Sequence, residues 1–186
     1  ARAADIAIED AIRSLEKDFS LPPGRMSVFK GIKDTIIIDS SYNNATLTPM
    51  LDLLSFVQDI GKQRRRIGII GDMRELGTMS KALHEEVAAK ILTSLDTVIL
   101  IGPLSQQYIA PVLKKNKFPF YSFLNFSSSK STILETLKPK DMVLVKGSQN
   151  TLFLERAVEM LLNSPKDKEK LCRRGEYWDK IREKTL

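Results

Sequence analysis

The sequence predicts an α/β fold, in which a Rossmann-like, mainly parallel sheet carries helices on both faces. Short apolar runs rich in β-branched residues alternate with segments that have helical periodicity. The runs are apolar throughout rather than at every second position, so both sides of each strand need cover. Alternating βαβ units provide that cover.

The segment before the sheet predicts an amphipathic helix, because apolar residues recur at helical spacing over residues 4–19. Pro22-Pro23-Gly24 then indicates a linker. The helix has no obvious partner within its own segment. We therefore assign residues 1–23 to the end of a preceding domain, residues 24–163 to the main domain and residues 164–186 to a basic tail.

The strands of the main domain are predicted from their apolar runs. They span residues 35–39, 67–71, 97–102, 118–123 and 142–146, with an additional edge strand at 27–30. Thr48 is expected to cap the helix after the first run, with Pro49 at its first position, and Ser80 to cap the helix after the second. Three further helices are expected near residues 104–115, 129–137 and 152–162, the first kinked or shortened by Pro111. For the tail, two interpretations remain open. It could form a terminal helix that docks through Trp178, or it could be mobile.

Composition narrows the possible functions. The 186 residues are 42% hydrophobic, but no apolar run could cross a bilayer and no signal segment opens the chain. We therefore expect a soluble, cytoplasmic protein with no membrane partner. The single Cys172 and single His84 cannot build a disulfide or a zinc site from this chain alone. A structural metal is not expected.

The net charge of +6 suits either nucleic acid or an anionic small ligand. About half of the excess lies in the tail after Pro165, and Arg64-Arg65-Arg66 forms the other cluster. Runs of this kind are typical of solvated faces rather than binding patches. We therefore do not expect a nucleic-acid partner.

Polar residues follow three of the predicted strands, at residues 39–44, 71–77 and 146–150. In open parallel sheets, ligands bind outside the carboxyl ends of the strands, so the three loops predict a shared ligand surface. The alternative is that Asp39, Ser40 and Ser148 merely form turns and caps. Neither the phosphate-loop signature G-x-x-x-x-G-K-[ST] nor G-x-G-x-x-G after the first strand occurs. NAD binding is therefore disfavoured.

Four ordered motifs resemble the C-terminal domain of the Mur ligases over roughly residues 23–162. They are Pro23-Gly24-Arg25-Met26, then Ile38-Asp39 with Ser41-Tyr42-Asn43, then Gly71-Asp72-Met73-Arg74-Glu75-Leu76-Gly77 with Ser80 and His84-Glu85, and finally Val145-Lys146-Gly147-Ser148. The third motif and the Tyr-Asn turn are most similar to the branch that joins D-alanyl-D-alanine to UDP-N-acetylmuramoyl-tripeptide. The chain departs from that branch at Asn44-Ala45-Thr46, where Ala-Asn-Pro is usual, and at Ser40, where a second aspartate is usual.

The resemblance implies an ATP-dependent carbon–nitrogen ligase of peptidoglycan synthesis. Such enzymes use ATP to phosphorylate a substrate carboxylate, and an amine then attacks the acyl phosphate in a site that must exclude water. The family's central domain carries the phosphate loop, the magnesium ligands and a carbamylated lysine, none of which matches this chain. ATP and Mg²⁺ are thus expected only in the complete enzyme. No catalytic residue is expected in this chain, which alone should be inactive.

The family motifs also imply site residues. Arg25 would reach the ATP phosphates or ribose, Asp39 would accept from a ribose hydroxyl, and Tyr42 and Asn43 would contact the adenine end. The pocket for the incoming dipeptide would be lined by Asp72, Lys146 and Ser148. A direct role for His84 is possible, but a structural role is favoured because a lone histidine is more often structural.

The implied partners are the central ATPase domain and the N-terminal UDP-substrate domain of the same enzyme, together with D-alanyl-D-alanine, and a monomer is expected. Two alternatives stay open. One is a sibling ligase that adds another amino acid, such as a folylpolyglutamate synthase relative. The other is a non-catalytic nucleotide-binding or interaction module that uses the same fold.

Overall fold

The computed structural model describes residues 6–42, 46–148 and 152–183, and its centre is a six-stranded sheet. The strand order is β1-β2-β6-β3-β4-β5; β1 is antiparallel to β2, and every other pairing is parallel. The strands are β1 Ser27–Gly31, β2 Thr35–Ser40, β3 Arg66–Gly71, β4 Thr97–Ile101, β5 Phe120–Phe123 and β6 Met142–Lys146. The predicted α/β fold and its edge strand are confirmed.

Seven α-helices occur in the described residues. They are α1 Ile8–Asp18, α2 Leu47–Ile60, α3 Ser80–Ser94, α4 Ala110–Lys115, α5 Phe126–Thr136, α6 Glu155–Leu161 and α7 Glu176–Glu183. The two predicted caps are wrong. Helix α2 already begins at Leu47, so Thr48 lies in its first turn. A 3₁₀ turn, Gly77–Met79, leads directly into α3, and Ser80 already has helical backbone angles. Neither helix start has a side-chain cap hydrogen bond.

The helical segment predicted near residues 104–115 is present, and it changes from π to α geometry just before Pro111. A π-helical segment, Ser105–Ile109, precedes α4, and Pro111 lies in the first turn of α4. Because proline has no N–H, it cannot donate to the carbonyl four residues earlier, and the helical ladder is interrupted at this point.

Two apolar layers cover the sheet, one on each face. Successive side chains of a strand point to opposite faces, so Leu144 packs in one layer and its neighbours Val143 and Val145 pack in the other. The first layer is built with α2, α3 and α4, and the second with α5 and α6. Strands that are apolar on both sides are the direct consequence of this arrangement.

The cluster Arg64-Arg65-Arg66 lies at the amino ends of the strands, and each arginine binds another residue of the same domain. Arg65 makes a two-pronged ion pair with Asp141, at 3.0 and 2.7 Å. Arg66 similarly binds Asp96, at 3.1 and 3.2 Å, and Arg64 donates to the Lys140 carbonyl at 2.9 Å. These pairs fix the edge of the sheet opposite the predicted ligand surface.

The two end segments differ in how they meet the sheet. None of the residues of α1 is buried, and Ile8, Ile12 and Leu15 are at least half exposed. The tail, in contrast, packs onto the domain through Leu171, Cys172 and Arg173 before α7 begins. The predicted terminal helix is present. Its buried residue among those described is Arg182, which lies 3.9 Å from Glu155, whereas Trp178 is only half-buried. No helix in the described part of the chain is long and apolar enough to span a membrane.

Candidate functional site at the carboxyl edge of the sheet

The three polar loops predicted to share a surface do meet. Strand β6 lies between β2 and β3, and Lys146 pairs with Ser40 on one side and Ile70 on the other. Beyond the strands, the Ser148 amide donates to the Asp72 carbonyl at 3.3 Å. The β3 and β6 loops also approach closely, since a Cβ on Gly71 would lie 2.7 Å from Leu152.

The linker contacts the turn that follows β2. The Tyr42 amide donates to the Gly24 carbonyl at 3.1 Å. Gly24 has a φ of +74°, and a Cβ there would lie 2.6 Å from the Tyr42 Cβ, so both conformation and space require glycine. Arg25 is exposed beside this contact, and Tyr42 is half-buried. Asn43 lies outside the described residues.

Asp39 lies beneath that turn and is fully buried. Its Oδ1 accepts a hydrogen bond from the Ser41 amide at 2.9 Å, whereas Oδ2 has no hydrogen-bond partner among the described residues. Burial raises the pKa of Asp39, and the hydrogen bonds from Ser41 and the charge of Arg173 oppose that rise. In this structure the carboxylate orients the turn, so its contact with ribose stays a prediction.

Asp72 is buried and binds the start of the helical segment after β4. Its carboxylate accepts from the Leu104 amide at 3.2 Å and from the Ser105 amide at 2.7 Å. Free amides at a helix start favour a negative side chain. A Cβ on Gly102, which has a φ of +120°, would lie 2.5 Å from this carboxylate. The structure therefore gives Asp72 a capping role, and its contact with a dipeptide stays a prediction.

An open cleft of about 490 Å³ lies next to Asp72. Its described lining consists of Asp72, Arg74, Glu75, Pro103, Leu104 and Leu152. Arg74 and Glu75 are exposed, so the cleft presents one positive and one negative side chain to solvent. Glu75 has a φ of +62°, an unfavourable conformation for a residue with a side chain.

His84 is buried behind the same loop. Its Nδ1 lies 2.7 Å from the Ser80 carbonyl, which can only accept, and its Nε2 accepts from the Met73 amide at 3.2 Å. Both contacts are satisfied by the neutral imidazole with its proton on Nδ1. The ring also packs against Tyr108, with centroids 5.8 Å apart. These contacts favour the structural role for His84.

Lys146 and Ser148 are both buried at the end of β6. Lys146 points to the same face as Leu144, which is the α2 and α3 side, whereas Asp39 points to the opposite face with Ile37. Burial lowers the pKa of Lys146 to about 8. Neither Lys146 nor Ser148 belongs to the described residues that line the cleft. Their contact with a dipeptide therefore stays a prediction.

The structure adds residues to this edge that sequence reasoning missed. Arg173 of the tail binds Glu155 at the start of α6, with 2.6 Å between Nη2 and Oε2, and both side chains are buried. The Arg173 guanidinium also lies over the rings of Tyr42 and Phe153. Glu155 is the first residue of α6, and the helix also contains Arg156 and Glu159, so the sequence carried no local signal for this cluster.

Nothing in the described part of the chain forms a group of three His, Cys, Asp or Glu side chains that could hold a metal ion. The polar side chains that reach solvent at the carboxyl edge are grouped at two places. One is the surface at the linker and the β2 turn, with Arg25 and Tyr42, and the other is the cleft with Arg74 and Glu75. The arrangement can accept an anionic ligand at one place and a zwitterion at the other.

Comparisons with known proteins agree with the motifs. The family described as Mur ligase, glutamate ligase domain, matches residues 24–149. The UDP-N-acetylmuramoyl-tripeptide--D-alanyl-D-alanine ligase of Synechocystis sp. is 30% identical over 145 residues, which cover 76% of this chain and 31% of that protein. The enzyme of the same name from Bacillus subtilis is 27% identical over 168 residues, covering 86% of this chain and 35% of that protein.

A solved structure has the same fold. MurF from Acinetobacter baumannii superimposes with a TM-score of 0.68 at 20% identity, over 86% of this chain and 34% of that one. The chain therefore spans about a third of the length of the relatives that it matches. With the family match extending from the linker through the β6 loop, the chain belongs to the Mur ligase family, as its C-terminal, glutamate ligase domain.

Proposed function

We propose that this domain closes over ATP and an incoming amine in a cytoplasmic ligase that adds D-alanyl-D-alanine to UDP-N-acetylmuramoyl-tripeptide during peptidoglycan synthesis. The observation that carries the proposal is a pair of exposed polar surfaces at one edge of the sheet, one at Arg25 and Tyr42 and the other at the Arg74–Glu75 cleft. The names of the relatives support the choice of substrates. The central ATPase domain and the N-terminal UDP-substrate domain of the same enzyme would complete the site.

The nucleotide would bind at the linker and the β2 turn. Arg25 is exposed there, and a guanidinium offers planar donors to phosphate oxygens. The half-buried ring of Tyr42 and the side chain of Asn43 would meet the adenine end. Asp39 Oδ2 has no hydrogen-bond partner among the described residues, but it is fully buried, so its proposed contact with a ribose hydroxyl requires a local rearrangement when the domains close. ATP supplies the phosphoryl group that activates the substrate carboxylate, with Mg²⁺ ligands from outside this chain.

The incoming dipeptide would bind in the cleft. A dipeptide is a zwitterion. The cleft contains the exposed Arg74, whose guanidinium carries enough donors to bind the dipeptide carboxylate beside its contact within the chain, and Glu75 for the ammonium group. Asp72 would support this site by fixing the helix start that forms one wall. Lys146 and Ser148 are buried as placed, so their proposed contact with the dipeptide carboxylate requires a rearrangement at this edge when the domains close.

The test is steady-state ligation by the complete enzyme, with UDP-N-acetylmuramoyl-tripeptide, ATP, Mg²⁺ and D-alanyl-D-alanine. Arg74→Ala should raise the KM for the dipeptide about 10-fold to 100-fold, because a charge-assisted hydrogen bond is lost, and leave the KM for ATP unchanged. Lys81→Ala, which changes an exposed lysine on α3, is the matched control.

Two outcomes contradict the proposal in different ways. Preference for a single amino acid such as glutamate over the dipeptide would identify a sibling ligase. Absence of any ATP-dependent ligation by the complete chain would favour a non-catalytic module. The isolated 186-residue chain serves as the blank and should release no phosphate from ATP.

A further inference from the structure

Arg173 is a buried arginine in a segment whose sequence is otherwise typical of a solvated tail. Its side chain is 1% exposed, although the 3₁₀ segment just before it, Pro165–Lys170, contains no buried residue. Leu171 and Cys172 are buried beside it. The tail therefore turns inward at this point and inserts a guanidinium under the carboxyl edge of the sheet.

Four contacts connect Arg173 to the β2 turn and its surroundings. The guanidinium lies 5.1 Å from the centroid of the Tyr42 ring and 5.1 Å from that of Phe153, so it is stacked between two aromatic side chains. Its Nη2 donates to the Ser41 carbonyl at 3.4 Å as well as to Glu155 at 2.6 Å. The Arg173 side chain thus contacts both the backbone of the turn, at Ser41, and the ring of Tyr42.

The backbone at this stack is strained on both sides. Arg173 has a φ of +53° and Phe153 a φ of +47°, and neither is a glycine. Residues with a side chain rarely adopt this conformation, and it persists only where the surrounding contacts determine it. The two strained residues contribute the guanidinium and one of the rings of the same stack, so the contacts of the stack are what hold both conformations.

Arg173 also acts on Asp39, the acid beneath the turn. The positive charge of Arg173 favours the ionised form of this fully buried carboxylate, against the effect of burial. Asp39 in turn holds the Ser41 amide at 2.9 Å. The carbonyl of Ser41 and the ring of Tyr42 therefore both contact one residue of the tail, whose positive charge also faces Asp39.

We propose that Arg173 is a positioning residue for the nucleotide, which fixes the Asp39–Tyr42 turn in its binding conformation without touching ATP. The inference rests on the proposed function, because it takes that turn to be the nucleotide contact. It makes the C-terminal tail a part of the ATP site, beyond the residues 24–149 that match the family.

A purely structural role is the competing explanation, since removing one partner of a buried ion pair destabilises a fold strongly. Arg173→Lys separates the two roles. A lysine keeps a positive charge for Glu155 and Asp39, but it cannot reproduce the planar stack between two rings. Arg174→Lys is the matched control, because Arg174 pairs with Glu159 at 2.8 Å on the outside of the same segment.

The experiment measures kcat and KM for each substrate of the complete ligase, beside its melting temperature. Arg173→Lys should raise the KM for ATP about 3-fold to 30-fold, the range of a desolvated cation–π contact, and leave kcat and the KM for the dipeptide near wild type. Arg174→Lys should leave all of these constants unchanged. An unchanged KM for ATP in Arg173→Lys would reduce Arg173 to a structural residue and overturn the inference.

Tyr42→Ala distinguishes this failure from failure of the proposed function. If Tyr42→Ala raises the KM for ATP and Arg173→Lys does not, the turn binds the nucleotide but does not depend on the tail. If neither change affects the KM for ATP, the nucleotide does not use this turn, and both proposals lose their nucleotide surface.

Discussion

The imidazole of His84 joins helix α3 to the loop after β3, because its Nε2 accepts a hydrogen bond from the Met73 amide at 3.2 Å. The other ring nitrogen, Nδ1, is held by the Ser80 carbonyl at 2.7 Å. Through these two contacts, a buried side chain fixes the start of the segment that continues into the cleft.

His84→Ala should therefore destabilise the domain by about 1 to 3 kcal/mol, because it leaves the buried Met73 amide without an acceptor. Urea unfolding of the isolated chain, followed by circular dichroism, measures the loss. His84→Gln is the informative companion, since its side-chain oxygen can accept the same bond and should recover part of the stability. Wild-type stability in His84→Ala would show that the amide finds another partner.

Lys146 should make stability depend on pH in the alkaline range. Burial lowers its pKa from 10.5 in the unfolded chain to about 8 in the folded chain. Between these values the unfolded chain binds a proton that the folded chain has released, so the free energy of unfolding rises with pH across that window. Below pH 8, the cost of burying the ammonium group is fully present.

Lys146→Met removes this cost. Relative to wild type, the variant should be most stable at pH 7, and this difference should fall by about 3 kcal/mol toward pH 10.5. Urea titrations at pH 7 and pH 10 measure it, with the exposed Lys62→Met as the control for general alkaline effects. A difference in stability that stays the same at pH 7 and pH 10 would contradict the prediction.

Arg25 should matter for turnover and not for stability. It is exposed beside the Gly24–Tyr42 contact, so its loss removes little packing. If it contacts ATP in the closed site, Arg25→Ala in the complete ligase should cost about 2 to 4 kcal/mol of transition-state stabilisation, roughly 30-fold to 1000-fold in rate. Arg25→Lys should recover only part, because an ammonium group cannot replace the planar fork.

The measurement is steady-state ligation beside the melting temperature of each variant, with the exposed Lys30→Ala of β1 as control. An exposed surface ion pair is worth only about 0 to 1 kcal/mol, so the two explanations of Arg25 give separate ranges. Near-normal turnover in Arg25→Ala would remove this residue from the active site.

Sequence patterns predicted the sheet because each of its strands carries its own signal. The continuous apolar run before Asp39 and the one before Gly147 need cover on both faces, whatever the rest of the chain does. Helix starts were harder. Thr48 and Ser80 are good capping residue types, but the chain continues the helix through both of them, and no side-chain hydrogen bond marks either start.

The sequence predicted which loops form the candidate site, but it did not predict which atoms in those loops contact each other. That the β2, β3 and β6 loops meet follows from parallel strand order. The partner of each polar atom does not follow from strand order, because that partner is distant in the sequence. The amides that Asp72 binds belong to Leu104 and Ser105, and the carboxylate of Glu155 meets the guanidinium of Arg173 in a tail that sequence alone describes as solvated.

The last strand along the chain, β6, lies in the middle of the sheet, between β2 and β3. While the chain emerges from the ribosome, β2 and β3 are therefore complete before the strand that pairs with both of them. Each then exposes an apolar, unpaired edge, and such edges are templates for pairing with other chains. Aggregation during synthesis should thus concentrate in the interval before Met142–Lys146 becomes available, and chaperone demand should fall once that strand is in place.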